Sequence, residues 1–219
     1  MEIPLTSEDF YNRIPLDVFR TLRTEEQKLY HCNLVLEHLS QATAILDIGC
    51  GVGELIEALD QLNVVGIERC KRLREHAVCA KDKIFLGDAR AMPFPENSFD
   101  GILLIWAVLN EFYRDEDQQA LFAEIRRVAK PNAIGLIDVP LIDEKYLAHY
   151  RTTIINGMVQ LNVHGLPILQ KVISAEDLTE ILTRSGFVDH NVRIDTSAPW
   201  PYPRIIATFR NSKHTKKTN

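Results

Sequence analysis

The sequence predicts an α/β protein built on a doubly wound, mostly parallel sheet. Short apolar runs alternate with amphipathic segments along the chain, which is the rhythm of strand–helix–strand units. Glycines or acids follow directly after the first three runs, at the edge where parallel sheets bind ligands. Strands are expected near residues 44–48, 63–67, 83–86, 100–106, 133–139, 187–194 and 204–210. Helices are expected near residues 53–60, 70–79 and 116–129.

The first predicted strand leads into a glycine-rich loop, Asp47-Ile48-Gly49-Cys50-Gly51-Val52-Gly53. Glycine at alternate positions lets the backbone adopt positive φ and approach a ligand with no Cβ in the way. The next helix offers its first N–H groups to an anionic group. Glu54 stands where the dinucleotide fingerprint has its third glycine, and no P-loop lysine follows. The loop indicates a nucleotide-like ligand, although such glycines can also serve only to pack a helix on a strand.

Two acids follow the next two strands. Glu68 ends the second predicted strand and Asp88 follows the third, so both should line the same cleft as the glycine loop. Glu68 is placed to accept hydrogen bonds from the hydroxyls of a ribose. Asp88, with the N–H of Ala89 beside it, is placed to accept one from the exocyclic amine of a base. Taken singly, each acid is also compatible with a helix cap.

In combination these motifs resemble the class I S-adenosylmethionine-dependent methyltransferases, most specifically the type 11 branch typified by ubiquinone biosynthesis. The resemblance covers about residues 40–140, with four motifs in order: 46–53, 65–68, 87–94 and 97–104. It implies a single Rossmann-like domain with a seven-stranded sheet whose last strand is antiparallel. It also implies S-adenosylmethionine as the cofactor.

The resemblance further implies where the cofactor lies. The glycine loop would face its methionine part, Glu68 its ribose, and Asp88 with Ala89 its adenine. Trp106, at the end of the fourth strand, would pack on the cofactor and attract the sulfonium, or else serve as a core aromatic. The implied cofactor-binding residues are Asp47, Gly49, Cys50, Gly51, Gly53, Glu68, Arg69, Asp88, Ala89 and Trp106.

The chain departs from the family where a catalytic base is concerned. Many relatives carry a His-His pair after the fourth strand, where this chain has Asn110-Glu111, and Lys130-Pro131-Asn132-Ala133 replaces the usual Lys-Pro-Gly-Gly. The first change removes a possible base, so the catalytic residue stays unassigned. The candidates are His164, His149, Tyr150 and Tyr11, with Asn110 as a positioning group.

Segments outside the motifs are expected to frame the site within a single domain over residues 1–219. Residues 1–40 form a predicted helical cap, in which a capping box at Thr24 starts a helix, and a second box at Ser174 starts another that ends before Gly186. Residues 140–173 show no clean period and are predicted as a lid or substrate wall, with a surface helix pair as the alternative. The run 199–203, Pro-Trp-Pro-Tyr-Pro, is predicted either as a substrate-facing hairpin or as a stiff crossover.

Charge and cysteine content restrict the partners. Of 25 basic and 30 acidic residues, five basic and no acidic residues follow Asp195, so residues 1–195 carry a formal charge of −10. Such a surface argues against nucleic acid and anionic membranes as partners, and the basic end 213–217 is predicted to be a solvated terminus.

The four cysteines show no metal-ligand spacing, which predicts reduced thiols in the cytoplasm and no metal. The acidic start 1–9 predicts no signal peptide, and no apolar run is long enough to span a membrane.

The resulting hypothesis is a cytoplasmic methyltransferase that acts on a small molecule. Two alternatives stay open. Residues 91–100 also resemble transfer-RNA wobble-uridine methyltransferases, which would make an RNA base the acceptor. A non-catalytic cofactor-binding or scaffold protein would keep Glu68 and Asp88 while its acceptor pocket is closed.

Overall fold

The computed structural model describes residues 7–212, which form a central seven-stranded sheet with the strand order β3-β2-β1-β4-β5-β10-β9. β1 runs parallel to β2 and β4, and β10 is antiparallel to both β5 and β9. The predicted fold class is therefore confirmed. Its strands are β1 Ile45–Ile48, β2 Val64–Glu68, β3 Ile84–Leu86, β4 Phe99–Leu104, β5 Ala129–Pro140, β9 Asp189–Asp195 and β10 Arg204–Arg210.

Helices cover both faces of the sheet. They are α1 Ser7–Arg13, α2 Leu16–Thr21, α3 Glu25–Leu39, α4 Glu54–Ala58, α5 Lys71–Glu75, α6 Asp115–Val128, α7 Glu144–Tyr150 and α8 Ala175–Arg184. Side chains of α6 and α8 pack on one face and those of α3 and α4 on the other. Because both faces are covered, the carboxyl edge of the parallel strands is the open place for a ligand.

Two predicted helices are shorter than expected. α4 ends at Ala58 and α5 at Glu75, whereas the sequence predicted 53–60 and 70–79. After α5 the chain turns back, and the N–H of Val78 donates to the carbonyl of Val52 at 2.8 Å. This bond fixes the glycine loop instead of extending the helix.

Residues 140–173 fold as one helix and a separate three-stranded antiparallel sheet. α7 is followed by β6 Ile154–Ile155, β7 Met158–Val163 and β8 Leu166–Lys171, so the alternative of a surface helix pair is wrong. Both hairpins have two-residue turns, Asn156-Gly157 and His164-Gly165, with all four residues at positive φ. Asn-Gly between apolar runs is a strong hairpin signal. The sequence therefore contained the evidence for this sheet.

Two sequence-based expectations fall outside the described residues. The start 1–6 and the basic end 213–219 are not described, so the predictions about a signal peptide and a solvated tail receive no structural account. Across residues 7–212, none of the helices combines the length and apolar character needed to cross a membrane.

Candidate active site

Three glycines in left-handed conformations shape the loop between β1 and α4. The φ angles of Gly49, Gly51 and Gly53 are 70°, 58° and 81°. A Cβ on Gly49 would lie 2.8 Å from Cγ2 of Val108, so conformation and space both require glycine there. The loop borders a cavity of about 430 Å³, which we call the glycine-loop cavity. Its walls include eight of the ten predicted cofactor residues: Gly49, Cys50, Gly51, Glu68, Arg69, Asp88, Ala89 and Trp106.

Glu68 connects the glycine loop with the end of β2. Its Oε2 accepts the N–H of Gly51 at 2.9 Å, and its Oε1 accepts the N–H of Cys70 at 2.7 Å. Burial raises the pKa of Glu68, and these N–H donors oppose the rise. Each carboxylate oxygen has two acceptor sites, and these two bonds use one on each, while the N–H of Arg69 is a further donor that lowers the pKa of Glu68. Glu68 thus fixes the loop and lines the cavity at once.

The start of α4, where the sequence predicts an anion site, carries charged side chains. Glu54, its first residue, lies in the cavity wall and pairs with Arg23 and Lys28, each at 3.3 Å. One carboxylate and two basic groups therefore lie at this helix start.

Asp88 lies in the cavity wall after β3, but its carboxylate is held by Arg90. Nη2 of Arg90 lies 2.6 Å from Oδ2 of Asp88, and its Nη1 lies 2.5 Å from Asp117. The pKa of Asp88 is lowered, chiefly by the side-chain hydrogen bonds from Arg90. Arg90 is a cavity residue that the sequence analysis missed, since nothing in the spacing pairs it with Asp117.

Asp47 and Gly53 lie outside the cavity wall. Asp47 is buried in β1, and its Oδ2 receives no hydrogen bond from residues 7–212. Burial raises the pKa of Asp47 to about 7, and the positive charge of Arg23 lowers it. Asp47 therefore lies behind the wall of the glycine-loop cavity.

Trp106 lies where the glycine-loop cavity meets a second cavity. Trp106 and Ala107 both have positive φ, 64° and 66°, a strained geometry held by two N–H groups that donate to Asp138. The guanidinium carbon of Arg23 lies 3.9 Å from the Trp106 ring centroid. One face of the ring that is expected to meet a cationic sulfur is therefore covered by a cation from the protein.

Tyr11 reaches the same junction from α1. Its hydroxyl donates a hydrogen bond to Oε1 of Glu111. Burial raises the pKa of Glu111 to about 7 and holds that of Tyr11 well above its usual value. The sequence pointed to Glu111 only as part of the Asn110-Glu111 pair, which stands where many relatives carry two histidines. Its neighbour Asn110 is buried and donates to the carbonyl of Lys171 at 2.8 Å, so it anchors β8 and lines neither cavity.

The second cavity, of about 420 Å³, is enclosed by α1, residues 140–173 and the loop before β10. We call it the aromatic cavity because its walls include Phe10, Tyr11, Trp106, Tyr146, Tyr150, Trp200 and Tyr202. Trp200 and Tyr202 come from the proline-rich run, which forms the hairpin loop between β9 and β10 and faces this cavity. The two cavities share Tyr11, Arg23 and Trp106.

The structure separates the four catalytic candidates. Tyr11 lines both cavities, while Tyr150 and His164 line only the aromatic one. His164 is an exposed turn residue of the β7–β8 hairpin. His149 is exposed on α7 and lines neither cavity. Of the four, only Tyr11 lies at the junction.

Comparison with known proteins gives consistent matches. Residues 46–137 match the model of a methyltransferase domain family. A sterol 24-C-methyltransferase of Pneumocystis carinii is 35% identical over 196 residues, 79% of this chain and 49% of that protein. A 2-methyl-6-phytyl-1,4-hydroquinone methyltransferase of Synechocystis is 30% identical over 193 residues, 78% of this chain and 54% of that protein. The chain thus spans about half the length of these two curated relatives.

Two further matches bear on the alternatives and on the fold. A tRNA (carboxymethyluridine(34)-5-O)-methyltransferase of Macaca fascicularis is 31% identical over 111 residues, 51% of this chain and 17% of that protein. The crystal structure of a Burkholderia thailandensis 1,6-didemethyltoxoflavin-N1-methyltransferase aligns with a TM-score of 0.69 at 16% identity, covering 97% of this chain and 94% of that one. At this identity the structural match speaks for the fold.

The sheet order, the glycine loop with its two acids and the domain match agree. The chain belongs to the class I S-adenosylmethionine-dependent methyltransferases. The family predicted from the sequence is confirmed.

Proposed function

We propose that this protein transfers the methyl group of S-adenosylmethionine to a small-molecule acceptor. The cofactor would lie in the glycine-loop cavity and the acceptor in the aromatic cavity. One observation supports this arrangement above the others: the two cavities meet at a shared wall of Tyr11, Arg23 and Trp106. A donor and an acceptor bound on either side of one wall are held close together, which is the main requirement of such a transfer.

The residues of the glycine-loop cavity fit the cofactor. Its volume lies within the usual range for small-molecule sites, roughly 300–1,000 Å³. The acceptor sites on Glu68 that the backbone N–H groups leave unused suit the hydroxyls of a ribose. Asp88 with Ala89 would hold the adenine, and the open backbone at Gly49 and Gly51 would admit the methionine part.

Tyr11 and Glu111 would manage the proton of the acceptor. When bound, the cofactor supplies a methyl group activated by a positive sulfur. Tyr11 Oη accepts the proton of an acceptor O–H or N–H group as its own proton passes to the Glu111 carboxylate. The proton ends on Glu111, and Tyr11 stays neutral throughout. The raised pKa of Glu111, about 7, suits a base that works near neutral pH.

An RNA base is the second candidate acceptor, because the transfer-RNA methyltransferase match covers half of the chain. Against it stand the formal charge of −10 on residues 1–195 and an acceptor site enclosed on three sides. A non-catalytic scaffold would need a closed acceptor pocket, and the aromatic cavity of about 420 Å³ argues for an enzyme. The four cysteines are all free and buried, which supports the reducing cytoplasm as the compartment.

Calorimetry combined with labelled methyl transfer tests the proposal. We expect micromolar affinity for S-adenosylmethionine and S-adenosylhomocysteine and no detectable binding of NAD. The labelled donor is then incubated with a metabolite extract and, in parallel, with total RNA. Label in small molecules supports the proposal, label in RNA supports the second candidate, and cofactor binding with no transfer to either supports a scaffold.

A further inference from the structure

The two cavities differ in the sign of their charged walls. Six carboxylate residues and four arginines line the glycine-loop cavity, so acids are in excess there: Glu8, Glu54, Glu68, Asp88, Glu111 and Asp117, against Arg23, Arg69, Arg90 and Arg114. Among the described residues that line the aromatic cavity there is no Asp or Glu, whereas Arg23, Arg204 and His164 are present. The chain has more acidic than basic residues, so the absence of carboxylates from the wall of this cavity sets it apart from the composition of the chain as a whole. Its walls favour negative charge and disfavour positive charge.

Arg204 is the basic group placed to meet such a charge. It is 3% exposed, and its Nε and Nη2 donate to the two oxygens of Asp138 at 2.8 and 2.6 Å. Within residues 7–212, no hydrogen bond involves its Nη1. Because Arg204 lines the cavity and Asp138 does not, the pair presents its positive end to the cavity.

Asp138 is held strongly enough to keep Arg204 in place. Besides Arg204, it accepts hydrogen bonds from Nε2 of His31 at 3.0 Å and from the N–H of Trp106 at 3.2 Å. Burial lowers the pKa of His31, and its Nδ1 has no partner among the described residues, so His31 is a neutral donor. The guanidinium of Arg204 therefore stays fixed by the carboxylate behind it, and its Nη1 is left without a hydrogen-bond partner among the described residues.

The remaining walls suit a flat ring. The ring centroids of Tyr146 and Tyr202 lie 4.7 Å apart, and those of Tyr146 and Tyr150 lie 4.8 Å apart. The guanidinium carbon of Arg204 lies 4.7 Å from the Trp200 ring centroid. Aromatic rings in tilted arrangements present faces and edges against which another ring can pack. The Tyr150 and Tyr202 hydroxyls are hydrogen-bonded to each other at 3.1 Å, so the hydroxyl that accepts in this pair has its own proton left for an anionic oxygen.

We propose that the methyl acceptor is a planar aromatic molecule with an anionic oxygen group, which Arg204 binds through Nη1. The reacting atom of that molecule faces Tyr11 at the junction. This inference rests on the proposed function and specifies its acceptor. Amine cations are disfavoured by Arg23 and Arg204 in the same wall.

Three naphthalene probes of the same shape test the charge requirement in the wild-type protein. Calorimetry with 2-naphthoate, 2-naphthamide and 2-naphthylmethylammonium is run with and without saturating S-adenosylhomocysteine at physiological salt. A charged hydrogen bond in a buried site gives the naphthoate an expected advantage over the amide of about tenfold or more, and the ammonium should bind most weakly. Equal affinities, or tightest binding of the ammonium, would overturn the inference. Absence of S-adenosylhomocysteine binding would contradict the proposed function instead, because the probe ranking is measured separately.

The variant Arg204→Lys assigns the effect to one residue. Lysine retains the charge opposite Asp138, and it lacks the planar fork that presents Nη1. The preference for naphthoate over naphthamide should fall by about tenfold, with unchanged affinity for naphthamide and S-adenosylhomocysteine. Arg193→Lys, an exposed arginine that pairs with Asp195 outside both cavities, should keep the full preference. An unchanged preference in Arg204→Lys would overturn the role of Arg204, and if this variant does not fold, the wild-type ranking decides.

Discussion

The Tyr11 hydroxyl donates a hydrogen bond to the Glu111 carboxylate, joining two residues 100 positions apart in the chain. Tyr11 belongs to the helix that covers the site, and Glu111 follows the strand that forms its floor. The pKa of Glu111 is also affected by Ser7, Glu68 and Arg69, and of these three residues only Arg69 carries a positive charge. The hydrogen bond therefore brings a removable proton and a weakly basic carboxylate to the junction of the two cavities.

Removal of the Glu111 carboxylate should abolish the pH dependence of turnover. With the acceptor fraction identified by labelling, the wild-type rate should rise through a pH of about 7, where Glu111 loses its proton. Glu111→Gln should lower the rate by roughly 10²–10⁴-fold and flatten this limb. Tyr11→Phe should do the same while S-adenosylhomocysteine affinity stays near wild type. A Glu111→Gln profile with the wild-type inflection would show that another group accepts the proton.

Asp47 should make stability fall as pH rises. Its folded pKa is raised from 3.8 to about 7, so between these values the folded state holds more protons than the unfolded state and loses stability with increasing pH. Asp47→Asn removes this cost. The variant should be more stable than wild type, and this difference in the free energy of unfolding should be larger at pH 8 than at pH 5 by on the order of 2 kcal/mol. Urea unfolding at both pH values measures the difference, and a gain that is the same at both would contradict the raised pKa.

Glu68 should contribute to cofactor binding and to folding together. Loss of two charge-assisted hydrogen bonds to the ribose in Glu68→Ala should weaken S-adenosylhomocysteine binding by about 2–4 kcal/mol. The melting temperature should also fall, because the N–H groups of Gly51 and Cys70 lose their acceptor. The exposed acid Glu75, which pairs with Lys71, provides the control Glu75→Ala, with neither effect. A lower melting temperature with unchanged affinity would leave Glu68 only a loop-fixing role.

Two glycines with nearly the same φ separate backbone strain from crowding in the loop. Gly49 has φ 70° and Gly157 has φ 73°, so alanine is strained at both, by about 1 kcal/mol. Only at Gly49 would the new Cβ contact Val108, since nothing lies within 4 Å at Gly157. Gly49→Ala should therefore lower the free energy of unfolding by about 1–3 kcal/mol more than Gly157→Ala does. Val108→Ala in the Gly49→Ala background should recover part of this excess; equal losses at the two glycines would contradict the crowding.

The sequence predicted the parts of the site that depend on local pattern. The glycine loop, Glu68 and Asp88 all follow directly after strands, and strand order then brings them to one edge. The seven-stranded sheet and its antiparallel last strand came from family resemblance, and the structure confirms both. The strands of residues 154–171 are short and lack a clean period, so their local signal lies in the turn pairs at 156–157 and 164–165.

Contacts between distant segments were beyond the reach of the sequence. The Tyr11–Glu111 bond and the Asp138–Arg204 pair each depend on packing of elements far apart in the chain, and no periodicity encodes them. The sequence favoured single histidines as candidate bases because the usual pKa of histidine lies close to neutral pH. The structure places His149 and His164 on the surface and brings a carboxylate to the junction instead.

The basic end should be dispensable for methyl transfer, provided that the truncation spares Asn211. This residue is 1% exposed, and its side chain donates to the carbonyls of Ala129 and Lys130 at 2.9 and 3.1 Å, so a cut before it would damage the sheet. Deletion of residues 213–219 should leave turnover unchanged and weakly salt-dependent, because three lysines on a terminus release few counterions. Turnover and RNA retention on filters are measured from low to physiological salt, with and without residues 213–219. RNA binding that is tight at low salt, and that is lost when salt is raised and when residues 213–219 are removed, would favour the transfer-RNA acceptor over the small molecule.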